Sequence, residues 1–355
     1  MVRSTTNGVL KSYRYNLQRT TTSLNNSRET VLTGRTFNSF AEDPAKAAQC
    51  FQLRRSLLRT DSQYQVGESV IRKYEVAWST LDTIVGDVNN TKGDSALTSI
   101  IRGTSDTTGA GRNALGQQLR QVAQGIVQAM NTKYGDNFVF AGADGLNAPL
   151  ELTPDGTLKY RGVDVNSKED TPELEMLDYL ANKDNAGEKK FVDVGLGLEE
   201  DANGKLIESS ASNVAMAAIT FLGYGIDDSD EHGDPKNIVS IIDRMGQILE
   251  GCTPDGKFKD GEKEELERLF GKFEMAATTL TNKHTELDAR ASFLKSNQEQ
   301  LQNTSYTLQE QVLAIEDVDP ADAITAYSWA QYCYNAALKV GNSILSESLM
   351  DFLQI

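Results

Sequence analysis

The clearest pattern in this sequence is a seven-residue hydrophobic repeat towards its C-terminus. Apolar residues recur at every seventh position from Leu266 to Ile315, and a second set four residues after each is partly polar, with His284, Gln298 and Ser305. A seven-residue repeat of this length is typical of a left-handed coiled-coil seam. Because the second set is partly polar, we expect this helix to pack in a bundle with other helices of the same chain.

Three further helices are predicted for the same bundle. From residue 44, apolar residues follow at alternating three- and four-residue steps as far as Val88, and a shorter helix spans Leu115 to Met130. The polar, Gly-rich segment 89–111 between them is expected to be a loop. Another helix, residues 237–250, is expected to start after Asp234-Pro235 and to lead into the heptad helix.

Between residues 150 and 235 the pattern changes to short β-prone runs, Gly-rich turns and acidic loops. Pro154-Asp155-Gly156, flanked by alternating residues, is a hairpin signal. The predicted fold is therefore mainly α. A long antiparallel coiled coil or helical bundle forms a rod built from both chain ends, with a β-rich insertion and terminal helical arms.

Each end of the chain carries a helix that an Asp-Pro pair separates from the rod. Asp is favoured as an N-cap and Pro at the first helical position, so Asp43-Pro44 and Asp319-Pro320 each predict a helix start and a joint. The N-terminal arm is rich in poor helix formers, and the C-terminal arm is apolar around much of its circumference. Such helices need partners, which we expect to be each other and copies from adjacent subunits. The predicted assembly interface comprises Leu10, Tyr13, Leu17, Leu24, Val31, Ile324, Tyr327, Tyr334, Leu338, Leu345 and Phe352.

These patterns divide the chain into five predicted parts. They are an N-terminal arm (1–40), rod helices with a hairpin (41–149), an acidic outer insertion (150–235), the C-terminal rod helices (236–318) and a C-terminal arm (319–355). The formal net charge of −16 argues against binding to nucleic acid. No apolar run is long enough for a membrane span, and the N-terminus lacks the features of a Sec-type signal peptide.

Candidate chemistry is sparse, and we expect neither a cofactor nor enzymatic activity. The chain has 3 widely spaced cysteines and 2 histidines, too few for a zinc cluster or a catalytic triad. Asp228, Asp230 and Gly233 fall at positions one, three and six of a calcium loop, but Val239 occupies the twelfth position, where a Glu is needed. We expect a solvated acidic turn. A calcium- or glycan-binding module in the insertion, on a helical stalk, is the alternative from a different functional class.

Four segments resemble the flagellin superfamily. They are TGRTFNSFAEDPAKAA (33–48), NTKYGDNFVFAG (131–142), IEDVDPADAI (315–324) and SLMDFL (348–353). The second and fourth segments resemble most closely its hook-associated protein 3 branch, the proteins at the junction of hook and filament. Filament flagellins are similar in layout, so a filament flagellin is the alternative within the same class.

The resemblance implies a structural subunit of the bacterial flagellum that joins hook to filament through its terminal helices. It implies an extracellular location after export of the unfolded chain through the flagellar type III apparatus, with both arms lining the inner tube. The implied partners are copies of the chain, other hook-associated proteins, hook or filament subunits, and an export chaperone in the cytoplasm. Neither nucleic acid nor membrane insertion is expected.

Overall fold

A computed structural model describes residues 6–37, 39–90, 95–105, 108–153, 155–197, 199–201, 206–207, 211–227 and 232–353. Their contacts divide the chain into two compact units. The first unit combines Met1–Asp61 with Gln302–Ile355, and the second is Ser62–Leu301. The helices are α1 (Thr6–Thr33), α2 (Pro44–Asn89), α3 (Ala96–Ser105), α4 (Gly109–Met130), α5 (Pro172–Leu180), α6 (Ala218–Leu222), α7 (Ile238–Glu250), α8 (Glu262–Glu316) and α9 (Pro320–Leu353).

In the first unit, the beginning of α2 packs against the end of α8. Arg54 on α2 lies 2.5 Å from the carboxylate of Glu316, and Ser305 on α8 donates a 2.7 Å hydrogen bond to Asp61. An earlier residue of α2 thus pairs with a later residue of α8, so these helix segments are antiparallel. The terminal helices α1 and α9 pack against each other in the same unit.

In the second unit, the seventh-position apolar residues of α8 are buried. Leu266, Phe273, Leu280, Leu287 and Leu294 belong to one hydrophobic core. On the α2 side this core contains Tyr74, Ala77, Leu81, Ile84 and Val88. Polar contacts between Glu75 and Lys295 and between Asn89 and Thr281 again run in antiparallel order. The seven-residue repeat therefore predicts the buried face of α8 correctly.

Helices α4 and α7 approach each other closely because each contributes a glycine to the contact. A Cβ atom on Gly116 would meet the carbonyl oxygen of Gly246 at 2.7 Å, which is too close for any side chain. Beside this contact, Arg120 of α4 lies 3.1 Å from Asp243 and 3.3 Å from Glu250 of α7. The two helices are thus held by close backbone packing and by ion pairs.

Short strands lie between α4 and α7. They are β1 (Lys133–Tyr134), β2 (Asn137–Phe138), β3 (Ala141–Gly142), β4 (Leu150–Leu152), β5 (Leu158–Tyr160), β6 (Val163–Asp164), β7 (Phe191–Val192), β8 (Ser212–Asn213), β9 (Met216–Ala217), β10 (Ile226–Asp227) and β11 (Asp234–Pro235). The described pairs are antiparallel: β1 with β2, β3 with β9, β4 with β5, β5 with β6, β7 with β8 and β10 with β11. Strands β4 and β5 pair on either side of the predicted hairpin turn, of which Asp155 and Gly156 are described, whereas Pro154 lies outside the described residues.

Two local expectations are wrong. The segment 89–111 is not simply a loop, because it contains α3, whose Ala96 and Ile100 are buried in the core. Asp234-Pro235 does not start a helix either, because these residues form strand β11. Helix α7 begins at Ile238 after the N-cap Asn237, whose side chain accepts hydrogen bonds from the backbone N–H groups of residues 239 and 240.

Asp234 has a different role in the structure. Its buried carboxylate is held by Arg268 in a two-bond contact of 2.5 and 3.1 Å and by Lys272 at 3.0 Å. Burial acts to raise its pKa, but the hydrogen bonds and charges of these two bases outweigh burial and lower the pKa. The charge on Asp234 therefore fastens the β10–β11 hairpin to α8.

The predicted fold class is confirmed. The chain is mainly α, its long helices α2 and α8 pack together, and a small β-rich part lies in the middle of the sequence.

Candidate assembly interface

The contact between α1 and α9, here called the arm pair, is built on small residues. Ala323 and Ala330 of α9 are buried, and so is Gly341. A Cβ atom on Gly341 would overlap the ring of Tyr13 from α1. The absence of a side chain at residue 341 is thus what lets the two helices approach at this level.

The α1 side of the arm pair uses residues that the sequence predicted. Leu10, Tyr13, Leu17 and Leu24 are half-buried, whereas Val31 is exposed. Polar side chains between these apolar residues form hydrogen bonds within α1. The hydroxyls of Thr20 and Thr21 donate hydrogen bonds of 2.9 and 2.8 Å to the Leu17 carbonyl oxygen. Mutual covering of the two arms therefore explains the heptad-like spacing of α1.

The α9 side is only partly covered by α1. Of the residues predicted there, Tyr327 and Tyr334 are half-buried, but Ile324 is 54% and Leu338 42% exposed. Large apolar side chains outside the predicted set are exposed as well, namely Trp329, Tyr332 and Val340. The rings of Trp329 and Tyr332 stack on each other with their centroids 5.8 Å apart. The arm pair thus leaves an apolar surface uncovered on α9.

A groove of about 590 Å³ runs along the arm pair. Its α1 wall is polar and includes Arg19, Thr22 and Asn26, while Ala323 and Ala326 line it from α9. The small alanine side chains leave room for a side chain from outside the pair. The predicted residues Leu345 and Phe352, in contrast, have side chains that lie outside the described residues.

Both predicted joints begin helices at the expected residue. Asp43 accepts a 3.0 Å hydrogen bond from the N–H of Lys46 at the start of α2, and Asp319 accepts one of 2.8 Å from Ala321 at the start of α9. Pro44 and Pro320 are the first residues of their helices. The two Asp-Pro pairs therefore act as N-caps with a proline at the first helical position.

The chain segments beside these joints are also bonded to each other. Thr36 N–H donates to the Glu316 carbonyl oxygen at 2.6 Å, and Val318 N–H donates to the Gly34 carbonyl oxygen at 3.1 Å. Gly34 ends α1 with a φ of +69°, a conformation that glycine adopts without strain. The end of α1 and the break between α8 and α9 are therefore fixed to one another.

A buried polar contact lies just inside the joint. Glu316 accepts hydrogen bonds from the Cys50 thiol at 2.8 Å and from Arg54 at 2.5 Å. Burial acts to raise the pKa of Glu316, but these hydrogen bonds and the charges of Arg54 and Arg35 lower it overall. Burial raises the pKa of the Cys50 thiol, and Glu316 adds to this effect. Cys50 is thus a protonated donor within the joint and not a reactive thiolate.

The other candidate site of the sequence is only partly visible. Asp228 and Asp230 of the calcium-loop pattern lie outside the described residues. Within the described part of the chain, no group of three or more His, Cys, Asp or Glu residues could hold a metal ion. None of the described helices is long and apolar enough to cross a membrane.

Helix α9 of the arm pair and the C-terminal joint, Asp319-Pro320, lie in the part of the chain that matches a known family. Residues 270–353, from within the heptad helix α8 to the end of α9, match the family model of the bacterial flagellin C-terminal helical region. This part of the chain is therefore similar to the C-terminal region of flagellins. This match agrees, over residues 270–353, with the predicted resemblance to the flagellin superfamily.

Solved structures are similar to this chain over most of their own length. A protein from Vibrio parahaemolyticus assigned as a flagellar hook-associated protein has a TM-score of 0.55 at 14% identity, covering 77% of this chain and 99% of that one. This likeness shows a shared fold. FlgL from Xanthomonas campestris gives a TM-score of 0.47 at 15% identity, with 74% and 99% covered. The hook-associated protein 3 of Legionella pneumophila gives 0.44 at 13%, with 73% and 98% covered. No curated protein sequence matches the chain.

Proposed function

We propose that this protein joins the flagellar hook to the filament by packing its arm pair against neighbouring subunits. The observation that carries the proposal is the uncovered apolar surface of α9. Ile324 and Leu338 are exposed although α9 is already paired with α1. Apolar surface of this extent on a free helix favours association with another protein. The name of the Vibrio structure, a flagellar hook-associated protein, supports the hook end as the place of assembly.

The resemblance to the flagellin superfamily implies roles for the remaining parts of the chain. The arms 1–40 and 319–355 line the inner tube, the rod segments 41–149 and 236–318 form the next shell, and the acidic insertion 150–235 faces solvent. The chain is exported unfolded through the type III apparatus. Because α9 is too apolar to stay exposed without aggregating, a cytoplasmic chaperone holds it before assembly, and copies of the chain, other hook-associated proteins and hook or filament subunits cover it afterwards.

The test is a charge placed on the uncovered surface of α9. In the isolated subunit the Leu338 side chain is partly exposed, so Leu338→Asp leaves the monomer folded. If a neighbour covers residue 338, the aspartate is buried without a partner, at a cost of several kcal/mol, on the order of 3 or more. We expect purified flagella from cells producing only this variant to lack the protein.

Met275→Asp is the matched control, because Met275 is an exposed apolar residue on α8 outside the arms. Quantitative immunoblotting of purified flagella compares the two variants, and circular dichroism of the purified monomers checks that both are folded. A Leu338→Asp subunit that is incorporated as well as the wild type would refute packing through this surface.

Filament flagellin is the second candidate function, because the matched C-terminal region belongs to flagellins as a family. The two candidates differ in where the protein lies along the flagellum and in how many copies it has.

A calcium-binding module in the insertion makes a third, separate prediction. Calorimetric titration of the full chain with calcium would then give a binding signal, and we expect none.

A further inference from the structure

A second uncovered apolar surface lies on α2 and α8 in the first unit, away from the arm pair. Phe51 and Leu58 of α2 are 70% and 71% exposed, and Tyr306 and Leu313 of α8 are 57% and 45% exposed. Each pair is spaced by seven residues, so its two members lie on one face of their helix. We call these four residues the outer ridge.

The outer ridge has a fixed place relative to the contact between α2 and α8. Phe51 directly follows Cys50, whose thiol bonds Glu316 of α8, and Leu58 directly follows the half-buried Leu57, which lies seven residues after Cys50 on the same face of α2. Tyr306 directly follows Ser305, which bonds Asp61 of α2, and Leu313 directly follows the buried Val312, seven residues after Ser305 on the same face of α8. One residue is a rotation of about 100° around a helix. Because the helices are antiparallel, equal rotations bring all four ridge residues to the same side of the pair.

Opposite charges lie at the two outer edges of the same helix pair. Arg55 lies two positions before Leu57, and Glu310 lies two positions before Val312. Two positions correspond to about 200° of rotation around a helix, so both charged side chains point away from the contact between α2 and α8. Within the described residues, neither side chain has an oppositely charged partner, whereas the neighbouring Arg54 pairs with Glu316. The α2 edge is therefore positive and the α8 edge negative.

The charge of the surrounding segments agrees with this assignment. Residues 44–61 of α2 carry Lys46, Arg54, Arg55 and Arg59 against Asp61. Residues 302–316 of α8 carry Glu310 and Glu316 and no basic residue. Two complementary edges on opposite sides of one molecule form a head-to-tail contact, and repetition of such a contact builds a ring or a helical layer.

We propose that copies of this chain pack side by side through these edges. Phe51, Arg55 and Leu58 of one copy contact Tyr306, Glu310 and Leu313 of the next copy. Arg55 pairs with Glu310 across the contact, and the two halves of the outer ridge meet beside this ion pair. The inference rests on the proposed function, since it names a second contact in the same assembly.

Charge reversal in separate copies tests the contact. Arg55→Glu and Glu310→Arg each bring like charges together at every subunit boundary, so each alone lowers the protein recovered in purified flagella by about tenfold or more. When both variants are produced in one cell, copies that alternate restore opposite charges at every boundary. Recovery then returns towards the wild-type level, as it does for the double variant.

The mixture of single variants is the decisive experiment. If Arg55 and Glu310 paired within one chain, the double variant would restore recovery, but the mixture would not. Glu267→Arg, an exposed reversal elsewhere on α8, is the control and is expected to assemble normally. Reduced recovery without rescue in the mixture would mean that the edges contact a different protein, and it would overturn the proposal.

Normal recovery of both single variants would also overturn it. If Leu338→Asp nevertheless fails to assemble in the same cells, only the edge contact is rejected and the proposed function through the arm pair remains. Absence of the wild-type protein from purified flagella would reject the proposed function itself.

Discussion

Gly341 and Tyr13 should be energetically coupled, because the tyrosine ring occupies the space that any side chain at residue 341 would need. Replacing a glycine inside a helix by alanine stabilises the helix by about 1 kcal/mol. Overpacking of a close contact costs about 1–3 kcal/mol. With Tyr13 in place the clash opposes the gain in helix propensity, so Gly341→Ala is expected to weaken the arm pair by about 0–2 kcal/mol.

The sign of the effect should change when the ring is removed. In a Tyr13→Ala background, Gly341→Ala is expected to stabilise α9 by about 1 kcal/mol, because only the gain in helix propensity remains. The coupling energy of the two positions is then about 1–3 kcal/mol, which corresponds to a change of about 5- to 150-fold in the opening equilibrium of the arm pair.

Amide hydrogen exchange of the isolated monomer measures this equilibrium in peptides from α1 and α9. Gly271→Ala in α8 is the control, since no atom lies within 4 Å of the added Cβ there. Gly271→Ala should stabilise α8 both in the wild-type protein and in the Tyr13→Ala variant. If the effects of the Tyr13 and Gly341 substitutions are simply additive, the close contact between the arms does not exist in solution.

Three further predictions concern the joint and the second unit. Because the pKa of Glu316 is lowered in the fold, its stabilising effect is present above its ordinary value of 4.5 and lost as pH falls through the folded value. Thermal unfolding of wild type and Glu316→Gln should therefore differ at pH 7 and converge in acid. Asp234→Asn should lower the free energy of unfolding, measured with denaturant, by about 2–4 kcal/mol, because Arg268 and Lys272 lose a buried carboxylate partner. Glu267→Gln on the surface should lower it by less than about 0.5 kcal/mol. Leu280→Ala should lower the free energy of unfolding by about 2–5 kcal/mol, because the Leu280 side chain is buried. Met275→Ala should lower it by less than about 0.5 kcal/mol, because the Met275 side chain is exposed.

The sequence predicts well those features that depend on repeated local patterns. The heptad positions of α8 are buried in the second unit because a seven-residue period keeps one face of a helix towards its partner. The starts of α2 and α9 are correct because Asp and Pro act through the backbone of the same few residues. Asp234-Pro235 shows the limit of this signal, since an edge strand also accepts proline and the N-cap is Asn237.

Contacts made by small residues could not be predicted from hydrophobic periodicity. Gly341 and Gly116 carry no hydrophobic signal, yet each sets how closely two helices approach. The same reason explains why the predicted stripe of α9 includes Ile324 and Leu338, which remain exposed, while Ala323 is buried. The pattern identifies the apolar residues of an arm but does not tell which of them a partner in the same chain covers.

The place of the protein along the flagellum tests the central claim most directly. Antibody labelling of intact flagella, viewed by electron microscopy, locates the subunit without altering it. The proposed junction role predicts a single labelled band where the hook meets the filament. Label along the whole filament would contradict that role and identify the protein as a filament flagellin.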